Sequence, residues 1–288
     1  MKRFDQLLFQ LHQPSYLWLG RAQRKLRRQY ETERQKHQRE RRTADYLLIS
    51  PTNCGLTWLR AMVGRILQVA YDVQDVNLHY LFSFSERNPY LPQIKAIHEK
   101  YGQFGTYEQK RVILLVRDPR DALVSKYHQH KQNYATDYPD INAFILEGPE
   151  LAAYVNDYNR WYENRHGPAD FITVRYEDMR ADTYGELERI IAFLQLTVTP
   201  EVIHSAIEFG SFKNMRSLEV SGSSVLRARV LQTGGQQTAD NQRKVRKGLV
   251  GGYKQELSDQ AIDHMNGFIQ AHLHPTYGYG TAKGPVQI

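Results

Sequence analysis

The chain of 288 residues is poor in cysteine: Cys54 is the only one. That excludes an internal disulfide and any metal site built on thiolates. Long apolar runs are missing too. The longest purely aliphatic stretch, Val112 to Val116, is far short of the roughly 20 residues a membrane-spanning helix needs. Near the start, Leu7, Leu8 and Phe9 give way at once to Gln10, His12 and Gln13, so no secretory core is visible. The G-x-x-x-x-G-K-[ST] pattern of ordinary nucleoside triphosphatases does not occur, which speaks against a nucleotide kinase. No His/Asp/Glu grouping with metal-ligand spacing stands out, and no internal repeat is visible. With 41% hydrophobic and 24% charged residues, what remains is an ordinary globular composition with material for a sizeable core. A cytoplasmic protein that needs no metal is expected.

The net charge of +7 is unevenly placed. Residues 1–42 hold 12 Lys and Arg against 4 acids, a surplus of eight, so the rest of the chain stands at −1. The basic character therefore belongs to a leader, residues 1–43. Phe4, Leu7, Leu8 and Leu11 give it an amphipathic helical start, and residues 21–42 read as a polar helix. Its cations suit contact with an anionic surface, but no RNP-like or zinc-finger pattern supports nucleic acid as a partner.

From residue 45 short apolar runs alternate with helical periodicity. Tyr46–Ile49, Ile94–His98, Val112–Val116 and Phe171–Val174 read as strands. Leu56, Leu59, Met62, Val63, Ile66 and Leu67 mark one face of a helix, and further helices are expected over 150–165, 183–196, 200–208 and 258–272. Strands separated by helices predict an α/β fold with a central parallel sheet flanked by helices, one domain over 44–275. Residues 217–245 read as a long loop, and 276–288 as a loose tail.

Three stretches carry chemistry. A turn at Ser50-Pro51-Thr52-Asn53-Cys54-Gly55 feeds a helix at Leu56-Thr57-Trp58, so backbone N–H groups at a positive helix end could meet a phosphate; taken alone this is a weak signal. Arg117 leaves the C-terminal end of a strand, where ligands of parallel sheets bind, and Ser125 follows two helical turns on; together they could clamp a second phosphate. Arg120 and Asp121 between them read better as a helix cap with surface ion pairs. Lys244, Arg246 and Lys247 beside Gly248 suit closure over an anion, or an exposed basic loop.

In this order the motifs resemble a family. Gly55-Leu56-Thr57-Trp58, Arg117-Asp118-Pro119-Arg120-Asp121 with Ser125, Tyr176-Glu177-Asp178-Met179, Ser211-Phe212 with Met215, and Arg246-Lys247-Gly248 with Gly251, Tyr253 and Lys254 look like the cytosolic-type sulfotransferases, over about Tyr46 to Leu273. These enzymes use PAPS (3'-phosphoadenosine 5'-phosphosulfate) as co-substrate and release PAP. The resemblance implies a P-loop-like architecture. It implies that Cys54, Gly55, Leu56, Thr57 and Trp58 hold the 5'-phosphosulfate, that Arg117, Ser125, Arg246, Lys247 and Gly248 bind the 3'-phosphate, and that Tyr176, Ser211 and Phe212 contact the adenosine.

Two departures are chemical. The family's loop carries a Lys that stabilises the leaving phosphate; here Asn53 stands there, an uncharged donor, with Lys95 as a candidate substitute cation. The family's base is a His in a Lys-x-His pattern; here Lys95-Ala96-Ile97-His98 has one residue more, and His98 is the candidate base. A small-molecule hydroxyl acceptor is expected, an amine is the alternative, and Tyr80, Phe82, Phe84 and Tyr90 are candidates to line its pocket. The competing readings are a PAP- or PAPS-binding protein with weak or lost catalysis, motivated by Asn53, and a nucleotide kinase. Oligomeric state is not legible.

Overall fold

The computed structural model describes residues 32–133, 138–221 and 248–280. The chain divides into two units, Met1–Thr43 and Ala44–Ile288. Within the first, the helix α1 (Glu33–Thr43) is the described element; the amphipathic start read at Phe4 to Leu11 lies outside the described residues.

The frame of the second unit is a sheet of four parallel strands, β1 (Tyr46–Ile49), β2 (Ile94–Ile97), β3 (Arg111–Val116) and β4 (Asp170–Arg175), in the spatial order β2-β1-β3-β4. Tyr46 lies level with Ile94 and Arg111, and Arg111 with Asp170. Parallel pairing puts the C-terminal ends of all four strands on one edge. Ser50, His98, Arg117 and Tyr176 are the first residues past those ends. The registry alone thus gathers the motifs read from sequence, at the edge where parallel sheets bind ligands.

All four residues of β1 are buried, as expected for a strand covered on both faces. Alternation sends Leu47, Ile49, Val112, Leu114 and Val116 to one side, and Tyr46, Leu48, Ile113 and Leu115 to the other. On the second side lies α2 (Leu56–Ala70), through Leu59, Met62, Val63, Ile66 and Leu67, the helical face read from sequence. The short α3 (Phe82–Arg87) follows. The first side is covered by α4 (Pro119–Asn133), α5 (Ile141–Glu147) and α6 (Glu150–Glu163). Leu59, Leu114 and Trp161 are fully shielded from solvent, and each such side chain contributes about 2 kcal/mol by leaving water. Past β4 come α7 (Tyr176–Ala181), α8 (Thr183–Phe193), α9 (Pro200–Phe209), α10 (Phe212–Ser221) and α11 (Asp259–His272). The Ser258 hydroxyl caps α11 by accepting from the Ala261 N–H at 3.3 Å. Among the described residues no helix is long and apolar enough to cross a membrane.

Four expectations differ from the structure. The stretch from residue 217, read as loop, remains helical to Ser221, because the buried Met215 pins α10 against the core; most of the expected loop lies outside the described residues. Tyr277 and Tyr279, read as part of a loose tail, are buried, and the Tyr277 hydroxyl donates to the Tyr158 carbonyl at 2.6 Å. The candidates for an acceptor pocket divide: Phe82 and Phe84 are buried residues of α3, whereas Tyr90 is almost fully exposed. Asp121 is buried instead of forming a surface ion pair, and the Arg120 guanidinium is bound inward to Asp118 at 2.7 Å and to Asn266 Oδ1 at 2.6 Å.

Candidate active site

The loop after β1 ends in two residues of left-handed backbone, Asn53 (φ 64°) and Gly55 (φ 97°). Asn is among the few side chains that accept this conformation. Gly55 has a second reason for lacking a side chain: a Cβ there would lie 2.6 Å from Cδ2 of Tyr176. The helix ladder of α2 starts with the Leu59 N–H donating to the Gly55 carbonyl, and no side chain caps the helix. The amides of Leu56 and Thr57 lie ahead of that bond, so their N–H dipoles point out of the helix end, an arrangement that favours an anion. Thr57 is half-buried beside them, while the Leu56 side chain is packed into the core and offers only its backbone.

Two tyrosines of α6 hold the loop from beneath. The Tyr154 hydroxyl donates to the Thr52 carbonyl at 2.5 Å and shares a 2.9 Å hydrogen bond with the Thr52 hydroxyl. Tyr158 lies 3.3 Å from Cys54 Sγ, accepts from the Arg117 N–H at 3.0 Å and donates to the Arg117 carbonyl at 2.7 Å. Cys54 is fully buried, and desolvation pushes its thiol up to about 12. It is therefore a packed, neutral group, not a nucleophile. Both tyrosines lie in the helix expected over 150–165, where their spacing at i and i+4 puts them on one face.

Arg117 joins the loop to the far end of the chain. Its Nη1 donates to the Asn53 carbonyl at 3.2 Å and its Nη2 to the Leu249 carbonyl at 3.3 Å. Its guanidinium carbon stands 4.5 Å from the centre of the Tyr176 ring, a cation–π contact. The buried Nε of Arg117 makes no hydrogen bond. Ser125, two turns along α4, accepts from Asn53 Nδ2 at 3.4 Å, and Gln129 accepts from the same nitrogen at 2.9 Å. Asn53, Arg117 and Ser125 thus occupy one small region. Gln129 is an addition that sequence reading missed.

The residues that the resemblance assigns to the adenosine also converge. The Trp58 indole N–H donates to the Gly210 carbonyl at 2.7 Å, just ahead of Ser211 and Phe212. Trp58 meets Tyr176 edge to face, with ring centres 5.8 Å apart. The Tyr176 hydroxyl donates to the Gly248 carbonyl at 3.3 Å, and a Cβ on Gly248 would touch the Phe212 ring at 3.4 Å. Ser211 is exposed, and its hydroxyl accepts from the Asn214 N–H at 3.4 Å. Arg246 and Lys247 lie outside the described residues.

At the end of β2, His98 Nδ1 lies 2.7 Å from the Ser50 carbonyl. A carbonyl only accepts, so Nδ1 carries the proton and the lone pair of the neutral ring sits on Nε2. Lys95 takes a different place. It is buried level with Leu47 in mid-strand, and its ammonium lies 5.7 Å from the centre of the Tyr80 ring. Glu177, to which no role was given, also proves structural: it accepts from the Asp118 N–H at 2.9 Å and from the Tyr279 hydroxyl at 2.6 Å.

Comparison with known proteins identifies the family. A sequence profile of the sulfotransferase domain matches residues 43–277. The chain is 24% identical to cytosolic sulfotransferase 12 of Arabidopsis thaliana over 263 residues, covering 80% of this chain and 78% of that protein. It is 27% identical to human sulfotransferase 2A1 over 244 residues, covering 75% of this chain and 80% of that one. Among solved structures, retinol dehydratase in a complex with retinol and PAP superposes with a TM-score of 0.61 at 17% identity, over 79% of this chain and 80% of that chain.

Proposed function

Since this chain belongs to the sulfotransferase domain family, and is a PAPS-dependent sulfotransferase, we propose that it sulfates a hydroxyl of a small molecule with His98 as the general base. The observation that carries this reading is the convergence on Arg117. One guanidinium binds the carbonyls of Asn53, in the first phosphate-type loop, and of Leu249, beside the second. A ligand with two separated phosphate groups on an adenosine is what such a doubled anion site suits.

In this reading the 5'-phosphosulfate lies at the start of α2, against the amides of residues 54–57 and the Thr57 hydroxyl. The 3'-phosphate lies by Arg117, Ser125 and Gly248, with Arg246 and Lys247 assigned there by resemblance. Trp58, Tyr176 and Phe212 supply flat surfaces for the base. His98 Nε2 takes the acceptor's proton, the acceptor oxygen forms a bond to sulfur, and the bond from sulfur to the 5'-phosphate oxygen breaks. Catalysis of this kind works through positioning and charge stabilisation. Lys95 stays the candidate substitute cation for the family's lysine; its ammonium lies 5.7 Å from the centre of the Tyr80 ring. The relative with bound retinol makes a hydroxyl-bearing small molecule the acceptor class of choice, with an amine as the alternative.

A second reading has its own support. The Asn53 amide is engaged by Gln129 and Ser125 and carries no charge, which favours a PAP- or PAPS-binding protein of low turnover. Melting temperature with PAP, with ADP, and with ATP plus Mg²⁺ tests both at once. A ligand at about 100 times its Kd stabilises by roughly 2.7 kcal/mol. A response to PAP alone supports the nucleotide site, and a following acceptor screen separates enzyme from binder. A response to ATP with none to PAP would overturn the proposal.

A further inference from the structure

The strip from Gly248 to Leu257 arrives at the site from the far end of the sequence, and α4 holds it. Asp121 accepts from the Gly251 N–H at 2.7 Å with Oδ2 and from the Tyr253 N–H at 2.9 Å with Oδ1. One turn beyond Ser125, His128 Nε2 lies 2.6 Å from Glu256 Oε2. Asp121, Ser125 and His128 recur at i, i+4 and i+7, so one face of α4 carries both the strip's anchors and the serine of the anion site. The strip bends at Gly251, with φ 74°, and leads into a turn of 3-10 helix, Gly252–Gln255. The Arg120 guanidinium lies 5.0 Å from the centre of the Tyr253 ring and packs the turn from the other side.

A buried carboxylate next to an anion site repels the anion unless its charge is consumed. Here two N–H groups bind both of its oxygens, and the neighbouring Arg117 offsets the rest. The arrangement costs the site a negative charge and gains a fixed backbone: Gly248 and Leu249 are held where Tyr176 and Arg117 reach their carbonyls.

We propose that Asp121 is a positioning residue for the nucleotide, latching the Gly251–Tyr253 turn to α4 and thereby setting preference for a 3'-phosphate. The inference rests on the nucleotide site proposed above. A merely structural aspartate would lower stability and weaken all nucleotides alike. A latch acts on the 3'-phosphate side, so its loss falls on PAP and spares a nucleotide without that group.

The test is calorimetric titration of the full chain with PAP and with adenosine 5'-phosphate, for the unaltered protein, Asp121→Asn and Gly251→Ala. The second variant guards against misfolding of the first: a Cβ at Gly251 has no atom within 4 Å, so it disturbs only the bend. The expected result is at least a tenfold loss of PAP affinity in both variants, with adenosine 5'-phosphate changed less than twofold. Equal losses for the two nucleotides, or no loss for PAP in Gly251→Ala, overturn the latch. Should the unaltered protein bind PAP no better than adenosine 5'-phosphate, the nucleotide site itself is refuted and the latch falls with it.

Discussion

The Tyr158 hydroxyl closes on both backbone groups of Arg117, accepting from its N–H at 3.0 Å and donating to its carbonyl at 2.7 Å, while Cys54 Sγ lies 3.3 Å away. One phenol therefore fixes the end of β3 and the loop after β1 relative to each other. The hydrogen bonds and dense packing around it leave Cys54 no access to solvent.

Burial of this thiol has a direct chemical outcome. A thiol raised to about 12 has almost no thiolate at neutral pH, and thiolate is the reactive form. Iodoacetamide at pH 7.5 is expected to leave the folded protein unmodified and to label one site after denaturation, read by mass spectrometry. Rapid labelling of the folded chain would contradict the packing described.

His98→Ala is expected to lower kcat by roughly 10² to 10⁴, the range for loss of a general base. PAP affinity should stay within about twofold, since His98 meets the loop at the Ser50 carbonyl, at the strand end and ahead of residues 54–57 assigned to the phosphosulfate. Sulfate transfer and PAP titration on the same preparation check this; full activity in the variant would remove His98 from the mechanism.

Asn53→Lys puts a cation where the proposed site holds the leaving phosphate, and charge stabilisation there is worth several kcal/mol. It forfeits the hydrogen bonds to Gln129 and Ser125 and places Lys at φ 64°, costing about 1 to 3 kcal/mol of stability. The expected outcome is a lower Tm with kcat at least tenfold higher. An unchanged kcat would mean that Asn53 does not limit turnover.

Gly55→Ala meets both an unfavourable φ and a ring atom of Tyr176 at 2.6 Å. Gly102→Ala has the same kind of φ with nothing within 4 Å. The second change is expected to cost about 1 kcal/mol and the first at least twice that. Urea midpoints measure both, and equal midpoints would show that the Tyr176 ring moves aside freely.

The buried Asp157 carboxyl is pushed up to about 6 by desolvation, against the opposing pull of Lys100, Arg160 and the Tyr101 N–H. Its folded pKa is raised, so the native state holds the proton more tightly than the unfolded chain. Stability is then lost as pH rises from about 4 to about 6 and stays lost above. The amount is at most about 3 kcal/mol. Asp157→Asn should raise Tm more at pH 8 than at pH 4.5; a gain independent of pH would point to packing instead.

Sequence patterns located the strands because β1 and β3 are short apolar runs closed by Ser50 and Arg117, and parallel burial needs nothing more. Arg117 was legible at a strand end and Asn53 in the turn before a helix, Tyr176 only through the family resemblance, and the registry then gathered them. What spacing cannot express is the direction of a long side chain. Lys95 and His98 are near neighbours in sequence, yet one is buried mid-strand and the other lies at the strand end. Asp121 read as a surface acid because the two amides that bury it come from a turn about 130 residues later. Phe82 and Phe84 show the same limit, since core and pocket aromatics have identical composition.

The bond from Arg117 to Leu249 spans 132 positions of sequence. A ribosome adding about 5 to 20 residues per second makes Arg117 roughly ten seconds before its partner. During that interval the nascent chain carries the loop after β1 and Arg117 but not the strip that Arg117 binds. With the proposed nucleotide site, tight affinity is expected only after the strip has left the exit tunnel, and fragments cut short ahead of Gly248 are expected to bind PAP weakly.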